Sequence, residues 1–416
     1  MHKYGLLGKS LKHSFSKIIH EDISNIKYDL INLDETELEK FLKNKDFIGV
    51  NVTIPYKEKV IPFLDECDKI CQETQVCNTI VNKNNKLFGY NTDYVGLCYL
   101  FDVNNVFVEN KKVLILGNGA TAKTTAYFLV NRKAKQVTLL ARNNKNNADL
   151  LENYQKYLDY EIIINATPVG MYPNVENSLL KLNEFQHLEA VFDVIYNPLK
   201  SKLLLEAEKY QIKNFNGLAM LVCQAVFANH YFTEQNYALE IISLEIKRLT
   251  YLLTNIVFIG MPGVGKSTIG KQLAKRLKRK YVDIDELIVL QEQKSINEIF
   301  NDFGEKYFRE KEQEIIKQYS LQQGLVICCG GGVVLQEQNI ENLKRNGKII
   351  LLNRDLDKII IDNQRPLLKN KNDLKLLFEK RWDLYKKSCN IIVDNNASIE
   401  EAVNLVEEKF YESINS

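Results

Sequence analysis

Short apolar runs alternate with longer stretches of helical spacing along this chain, and the alternation starts afresh three times. From Lys3 to Asp93, β-like runs at Tyr4–Leu7, Tyr28–Leu33, Ile48–Val52 and Thr79–Val81 are interleaved with helical patterns at Ser16–Ile26 and Glu35–Lys43. From Lys111 the pattern predicts strands at Val113–Leu116, Val137–Leu140, Ile162–Asn165 and Val191–Val194, with helices at Ala122–Val130 and Lys200–Tyr210. Two long helical patterns follow, Leu218–Tyr231 and Glu234–Leu252, which predict helices folding back on the first α/β unit. A third unit begins at Asn255 with no Gly, Pro or polar run before it, so the connection must be very short. Alternation of this kind predicts α/β architecture throughout.

A chain of 416 residues is too long for one compact core, and its 45% hydrophobic and 26% charged residues are ordinary for a globular protein. The net charge of +2 gives no electrostatic reason to expect nucleic acid or a membrane surface as partner. No apolar run approaches the roughly 18 residues of a membrane helix, and the N-terminus meets Gly and polar residues too early for a signal peptide. Eight scattered cysteines predict reduced thiols and a cytoplasmic protein. Cys67, Cys71 and Cys77 cluster, but without a nearby fourth ligand they read as small buried side chains.

Chemistry enters most sharply at Gly260-Met-Pro-Gly263-Val-Gly265-Lys266-Ser267-Thr268, between the apolar run Ile256–Ile259 and a Lys-rich helical pattern. Glycines there let successive backbone N–H groups face a nucleoside triphosphate, Lys266 reaches its outer phosphates, and Ser267 suits Mg²⁺. More than half of the chain precedes this loop, enough for a second enzyme. Within that part, Gly117-Asn-Gly119-Ala120-Thr-Ala122 follows a strand and opens a helix, as a dinucleotide turn or a plain strand–helix turn would. Arg142, with Lys145 nearby, stands where an NAD-binding site would place an acid. The pair suits the 2′-phosphate of NADP, or else the two are surface residues on a loop.

Ahead of that turn, polar residues gather at predicted strand ends: His13-Ser14-Phe-Ser16, Asn51-Val-Thr53-Ile-Pro55-Tyr-Lys57, Asn78-Thr79 and Asn91-Thr92-Asp93. Hydroxyls and amides at such ends face the ligand crevice of α/β proteins and suit a polyhydroxylated acid. For reduction of its ketone, Lys57 can polarise the oxygen and Asp93 can hold the ammonium and share the proton. Singly, each of these residues also reads as a satisfied cap, a turn residue or a solvated lysine.

Taken in order, with Gly217-Leu-Ala-Met-Leu221…Gln224, these motifs resemble shikimate dehydrogenase from Tyr4 to Leu252. The resemblance makes Lys57 and Asp93 the catalytic pair. It assigns Ser14, Ser16, Thr53, Asn78, Tyr196 and Gln224 to the substrate, and Gly117, Gly119, Ala120, Arg142 and Gly217 to NADP(H).

In the third unit, alternation over Tyr281-Val-Asp283-Ile-Asp285 predicts a strand end with both carboxylates on one face, the competing reading being an acidic helix start. Phe303-Gly304-Glu305…Phe308-Arg309…Glu312 offers a guanidinium for a planar carboxylate, oriented by two acids. Gly330-Gly331-Gly332 gives bare backbone for a ring substrate, or a flexible turn, and Arg365-Pro366-Leu367-Leu368 a lid cation. With Lys380-Arg381 this set resembles shikimate kinase from Asn255 to Glu408. By that resemblance Asp285, Arg309, Gly331, Gly332 and Arg381 bind shikimate. Gly263, Gly265, Lys266, Ser267, Thr268 and Arg365 handle ATP, and Ser267 with Asp283 holds Mg²⁺. Lys266, Asp285 and Arg365 would act in catalysis.

The expectation is therefore a bifunctional enzyme acting on small molecules, 3-dehydroshikimate and shikimate. A two-lobed dehydrogenase would span residues 1–253, with residues 1–100 plus 218–253 as substrate lobe and 101–217 as Rossmann-like NADP lobe. A P-loop α/β domain like the nucleoside monophosphate kinases would span 254–416. Rival readings keep the folds but use NAD and another hydroxy acid, or make one half a regulatory nucleotide-binding module.

Overall fold

A computed structural model describes residues 3–11, 14–359 and 370–415. Two compact units emerge: one is Met1–Asn197 with Ser201–Ile246, the other Pro198–Lys200 with Lys247–Ser416.

The first unit opens with β1 (Tyr4–Gly8), α1 (Ser16–Ser24), β2 (Tyr28–Asn32), α2 (Glu35–Asn44) and β3 (Gly49–Val52). It continues with β4 (Glu66–Cys67), α3 (Lys69–Thr74), β5 (Thr79–Lys83), β6 (Lys86–Tyr90) and α4 (Thr92–Val103). The strands form a sheet in the order β2-β1-β3-β5-β6-β4, with β5 antiparallel to both neighbours. Asp34 and Glu37 close a capping box on α2, and Asp68 caps α3, satisfying amides that the first turn leaves open.

A second sheet follows: β7 (Lys112–Leu116), α5 (Ala120–Asn131), β8 (Gln136–Ala141), β9 (Asp149–Leu150), β10 (Ile162–Asn165), β11 (Ala190–Asp193), α6 (Lys202–Lys209) and β12 (Lys213–Phe215). It is wholly parallel in the order β12-β11-β10-β7-β8-β9, the arrangement of dinucleotide-binding folds, with its switch point between β7 and β10. Val113 to Leu116 and Ile162 to Ile164 are buried on both faces, which is why they read as unbroken apolar runs. From there α7 (Leu218–Thr233) returns to pack on α1 and α4 of the first sheet. Then α8 (Glu240–Leu253) begins six residues later than its apolar pattern suggests, because Glu234 adopts the left-handed conformation that ends α7.

In the second unit a single residue, Thr254, separates α8 from β13 (Asn255–Ile259). Next come α9 (Lys266–Leu277), β14 (Tyr281–Asp283), α10 (Ile284–Glu292), α11 (Ile296–Ser320), β15 (Val326–Cys328), α12 (Glu337–Asn346), β16 (Gly347–Asn353), α13 (Lys371–Ser388), β17 (Ile391–Asp394) and α14 (Ile399–Asn415). The parallel sheet runs β14-β15-β13-β16-β17 around a core built on Ile256–Ile259, Val326–Cys328 and Ile349–Leu352. One expectation needs correcting. The strand over Tyr281–Asp285 stops at Asp283, whose carboxylate accepts from the Asp285 and Glu286 amides and starts α10. Asp285 thus lies on a helical first turn, as the competing reading of an acidic helix start has it, and not on one strand face with Asp283. Helix α11 is broken at Gly304 (φ +82°), so Glu305, Arg309 and Glu312 share the face of its second segment.

Among the described residues no helix is long and apolar enough to cross a membrane.

Candidate active sites

In the first unit, the turn after β3 carries Lys57, and Asp93 sits in the first turn of α4. Their side chains meet at 2.6 Å with only 12% and 7% exposure. Backbone holds the lysine in place, because the Cys77 amide donates to the Lys57 carbonyl at 2.8 Å. The aspartate is fixed from its other oxygen: Asn78 Nδ2 donates to Asp93 Oδ1 at 2.9 Å. Asn78 itself is locked by the Thr92 amide, which donates to its Oδ1 at 2.7 Å, and it reaches Gln224 Oε1 on α7 at 3.4 Å. Behind these lies a buried chain in which Tyr28 OH donates to Asn51 Oδ1 at 2.7 Å, and Asn51 Nδ2 donates to Thr79 Oγ1 at 2.9 Å. Lys57, Asn78, Asp93 and Gln224 therefore form one connected set, drawn from four elements.

Ser14 and Ser16 lie at the start of α1, where the Ser16 amide donates to Ser14 Oγ at 3.2 Å. Their neighbour Phe15 packs against the Tyr196 ring, centroids 5.6 Å apart, so the turn after β11 meets this loop. Burial raises the Tyr196 phenol above its ordinary range. Thr53 continues β3, its amide donating to the Leu7 carbonyl at 2.9 Å, and is partly exposed. His13 lies outside the described residues.

Gly117, Gly119 and Ala120 form the turn from β7 into α5, at the carboxyl edge beside the switch point. Arg142, just past β8, is exposed and has no hydrogen-bond or ion-pair partner among the described residues. Its loop is tied to the glycine turn by a residue that sequence reasoning missed. Asn118 Nδ2 donates to Asn143 Oδ1 at 2.8 Å, and Asn146 Nδ2 donates to the Asn118 carbonyl at 2.7 Å. Gly217 precedes α7 in such close approach to β11 that a Cβ would fall 2.1 Å from the Val194 carbonyl oxygen. That contact accounts for a glycine there by packing alone.

In the second unit the loop after β13 has Gly260, Gly263 and Gly265 at positive φ and leads into α9 at Lys266. Lys266 is buried and donates to the carbonyls of Gly260 and Met261 at 2.9 and 3.0 Å. Ser267 and Thr268 face solvent on the first turn of α9. Ser267 Oγ donates to Asp283 Oδ2 at 2.9 Å, and Tyr281 OH donates to the same oxygen at 2.9 Å. Asn395, past β17, braces the loop from the other side through Nδ2 to the Val264 carbonyl at 2.6 Å. Sequence reasoning gave no role to Tyr281 or to Asn395.

Gly330-Gly331-Gly332 follows β15 and gathers the remaining candidates. A Cβ on Gly332 would lie 2.1 Å from Arg309 Nη2, and one on Gly330 2.7 Å from Asp285 Oδ1, so a side chain at either position would push those groups aside. Arg381 Nη1 donates to the Gly331 carbonyl at 3.0 Å, and Tyr385 OH, also missed in the sequence, donates to the same oxygen. Arg309 pairs with Glu312 at 2.9 Å and with Glu305 at 3.0 Å. Glu312 is fully buried, and burial pushes its carboxyl up to about 7 although Arg309 opposes the shift. Its Oε1 has no hydrogen-bond partner among the described residues. Arg365 lies outside the described residues.

The two sites define a class: a dinucleotide-dependent reductase joined to a P-loop phosphotransferase. Family models divide the chain likewise. The shikimate dehydrogenase substrate-binding domain matches residues 6–80, shikimate/quinate 5-dehydrogenase residues 103–166, and shikimate kinase residues 262–411. Shikimate dehydrogenase (NADP(+)) of Caldicellulosiruptor bescii is 38% identical over 276 residues, covering 58% of this chain and 95% of that one. The crystal structure of shikimate dehydrogenase 1 from Peptoclostridium difficile aligns with a TM-score of 0.55 at 33% identity, covering 60% of this chain and 98% of that one. Shikimate 5-dehydrogenase from Thermus thermophilus, solved in complex with NADP(H) and shikimate, aligns with a TM-score of 0.53 at 25% identity, covering 60% and 99%. The chain belongs to the shikimate dehydrogenase family and carries a shikimate kinase domain after it, which makes it a bifunctional enzyme of the shikimate pathway using NADP and ATP.

Proposed function

We propose that residues 1–253 reduce 3-dehydroshikimate to shikimate with NADPH, and that residues 254–416 phosphorylate the 3-hydroxyl of shikimate with ATP and Mg²⁺. Within the first part, residues 1–100 and 218–253 would form the substrate lobe and 101–217 the NADP lobe. One observation carries this reading: a buried Lys57–Asp93 pair in one unit, and Asp285, Arg309 and Arg381 gathered at one glycine turn in the other.

Bound NADPH supplies the hydride. Lys57 donates a hydrogen bond to the ketone oxygen and passes it a proton as negative charge grows, while Asp93 orients the ammonium. Ser14, Ser16, Thr53, Asn78, Tyr196 and Gln224 hold the substrate's hydroxyls and carboxylate. Gly117, Gly119, Ala120 and Gly217 shape the cofactor cleft, and Arg142 meets the 2′-phosphate.

In the kinase, Arg309 and Arg381 take the carboxylate of shikimate against the backbone of Gly331 and Gly332. Asp285 accepts a hydrogen bond from the attacking hydroxyl. Gly263, Gly265, Lys266, Ser267 and Thr268 cradle the phosphates. Lys266 and Arg365 offset charge on the transferred phosphoryl. Two hard oxygens, Ser267 Oγ and Asp283 Oδ2, stand 2.9 Å apart at the phosphate loop and suit Mg²⁺, whose charge would draw electron density from the phosphates. The free cysteines agree with a reducing compartment, and we place the enzyme in the cytoplasm.

The test is a single incubation of the full chain with 3-dehydroshikimate, NADPH, ATP and Mg²⁺. NADPH should disappear and shikimate 3-phosphate accumulate, with shikimate left unphosphorylated when ATP is omitted. NADPH consumption without phosphorylated product would remove the kinase half of the proposal.

A further inference from the structure

The carboxyl of Asp193 ends β11 in a fully buried position, three residues before Tyr196. Its Oδ1 accepts from the Ile195 amide and from Asn165 Nδ2, each at 3.0 Å, and its Oδ2 accepts from Ser201 Oγ at 2.5 Å. Each donor governs a different segment. Asn165 ends β10 and folds the loop beyond it, accepting from the Thr167 amide at 3.1 Å and from Thr167 Oγ1 at 2.7 Å. Thr167 packs against the cofactor turn, its methyl 2.9 Å from where a Cβ on Gly117 would stand. Ile195 accepts from the Gly217 amide at 3.0 Å, and the next residue, Tyr196, meets Phe15 between Ser14 and Ser16. Ser201 caps α6. One carboxyl thus joins the loop beside the glycine turn to the turn that presents Tyr196.

We propose that Asp193 is a positioning residue of the reductase, which sets the Tyr196 turn against the substrate by accepting hydrogen bonds from Ile195, Asn165 and Ser201. The inference rests on the reading of Tyr196 as a contact for the substrate carboxylate. Asp193 acts here as an acceptor hub and transfers no proton. Burial pushes its carboxyl up to about 7, the three donors offset this only in part, and no charged side chain among the described residues contributes. A group balanced between its charged and neutral forms should tolerate an amide, which can keep both Oδ1 bonds and turn its NH₂ toward Ser201 Oγ. An alanine keeps none of them.

Steady-state kinetics of shikimate oxidation by the full chain test this, with urea unfolding of each variant against the parent as the check on folding of the reductase unit. Tyr196→Phe and Asp193→Ala should each raise the KM for shikimate on the order of tenfold, the loss of one hydrogen bond to a charged group. The double variant should stay near tenfold, and Asp193→Asn should stay within about threefold of the parent. A double variant near a hundredfold would show that the two act independently and would overturn the proposal. So would Asp193→Asn as damaging as Asp193→Ala, or a fall in kcat with KM unchanged. Tyr196→Phe with unchanged KM would instead remove the reading of Tyr196, and the proposal with it. Asp193→Ser, which keeps one hydroxyl in the cavity, takes the place of Asp193→Ala if the alanine variant does not fold.

Discussion

The reductase half lines its cleft with neutral amides and hydroxyls around one ion pair, whereas the kinase half draws charged side chains onto bare backbone. Asn51, Asn78, Thr79, Thr92 and Gln224 satisfy one another behind Lys57 and Asp93, so the pair's geometry is fixed by groups without charge. Arg309, Arg381, Asp285 and Glu312 instead converge around Gly330–Gly332, where opposing charges hold one another in place. The chemistry explains the contrast. Reducing a ketone asks for one well-placed proton, and extra charge nearby would disturb the lysine that supplies it. A kinase that must hold a substrate carboxylate beside the phosphates, as proposed, needs guanidinium groups whose charge is itself held by counter-ions, and Arg309 with Glu305 and Glu312 is such a set.

The sharpest way to break this comparison is to remove each half's lysine. Lys57→Ala should lower the reductase kcat by about a thousandfold and leave the kinase intact, and Lys266→Ala should do the reverse. Assays of both activities on each variant check this, and a shared loss would contradict the independence of the two sets. Next in size, Arg142→Ala should raise the KM for NADPH on the order of tenfold to a hundredfold and leave that for NADH unchanged, since only the 2′-phosphate loses its guanidinium.

The charged half should also show its cost in stability. Glu312 titrates near 7 in the folded protein, above its ordinary 4.5. Between those values the folded chain keeps a proton that the unfolded chain has released. The stabilisation is full below about pH 4.5, and it is lost as pH rises toward 7. Glu312→Gln should flatten that slope for the kinase unit, by roughly 1–3 kcal/mol between pH 5 and 8, as read by urea unfolding of variant and parent. Smallest of all, Tyr281→Phe removes one of two donors on Asp283 Oδ2 and should raise the Mg²⁺ concentration for half-maximal ATP binding about threefold, followed by nucleotide fluorescence.

Much of this was legible in the chain itself, and the reason is burial. Strands covered on both faces, such as Ile256–Ile259 and Ile162–Ile164, must be apolar throughout, so they stand out between helical patterns. The glycine loops were legible because backbone approach and positive φ leave few other residues possible. What stayed hidden depends on partners distant along the chain. Asn395 braces Val264 across a separation of 131 residues, and no local pattern marks either of them. Asp193 lay unmarked inside the predicted strand Val191–Val194, since its worth lies in donors from three segments. The error at Asp283–Asp285 was local: a strand that ends in an N-cap aspartate keeps its alternation for two residues after the helix has begun.

Lys266 has one more consequence. Its ammonium rests on the Gly260 and Met261 carbonyls, withdrawn from water by the fold itself. Arrival of a nucleotide then exchanges oxygen for oxygen, and the penalty of dehydrating a cation was met when the chain folded. The loop greets its ligand with a charge that is dry and aimed, so recognition needs a swing of the side chain more than a reshaping of the backbone.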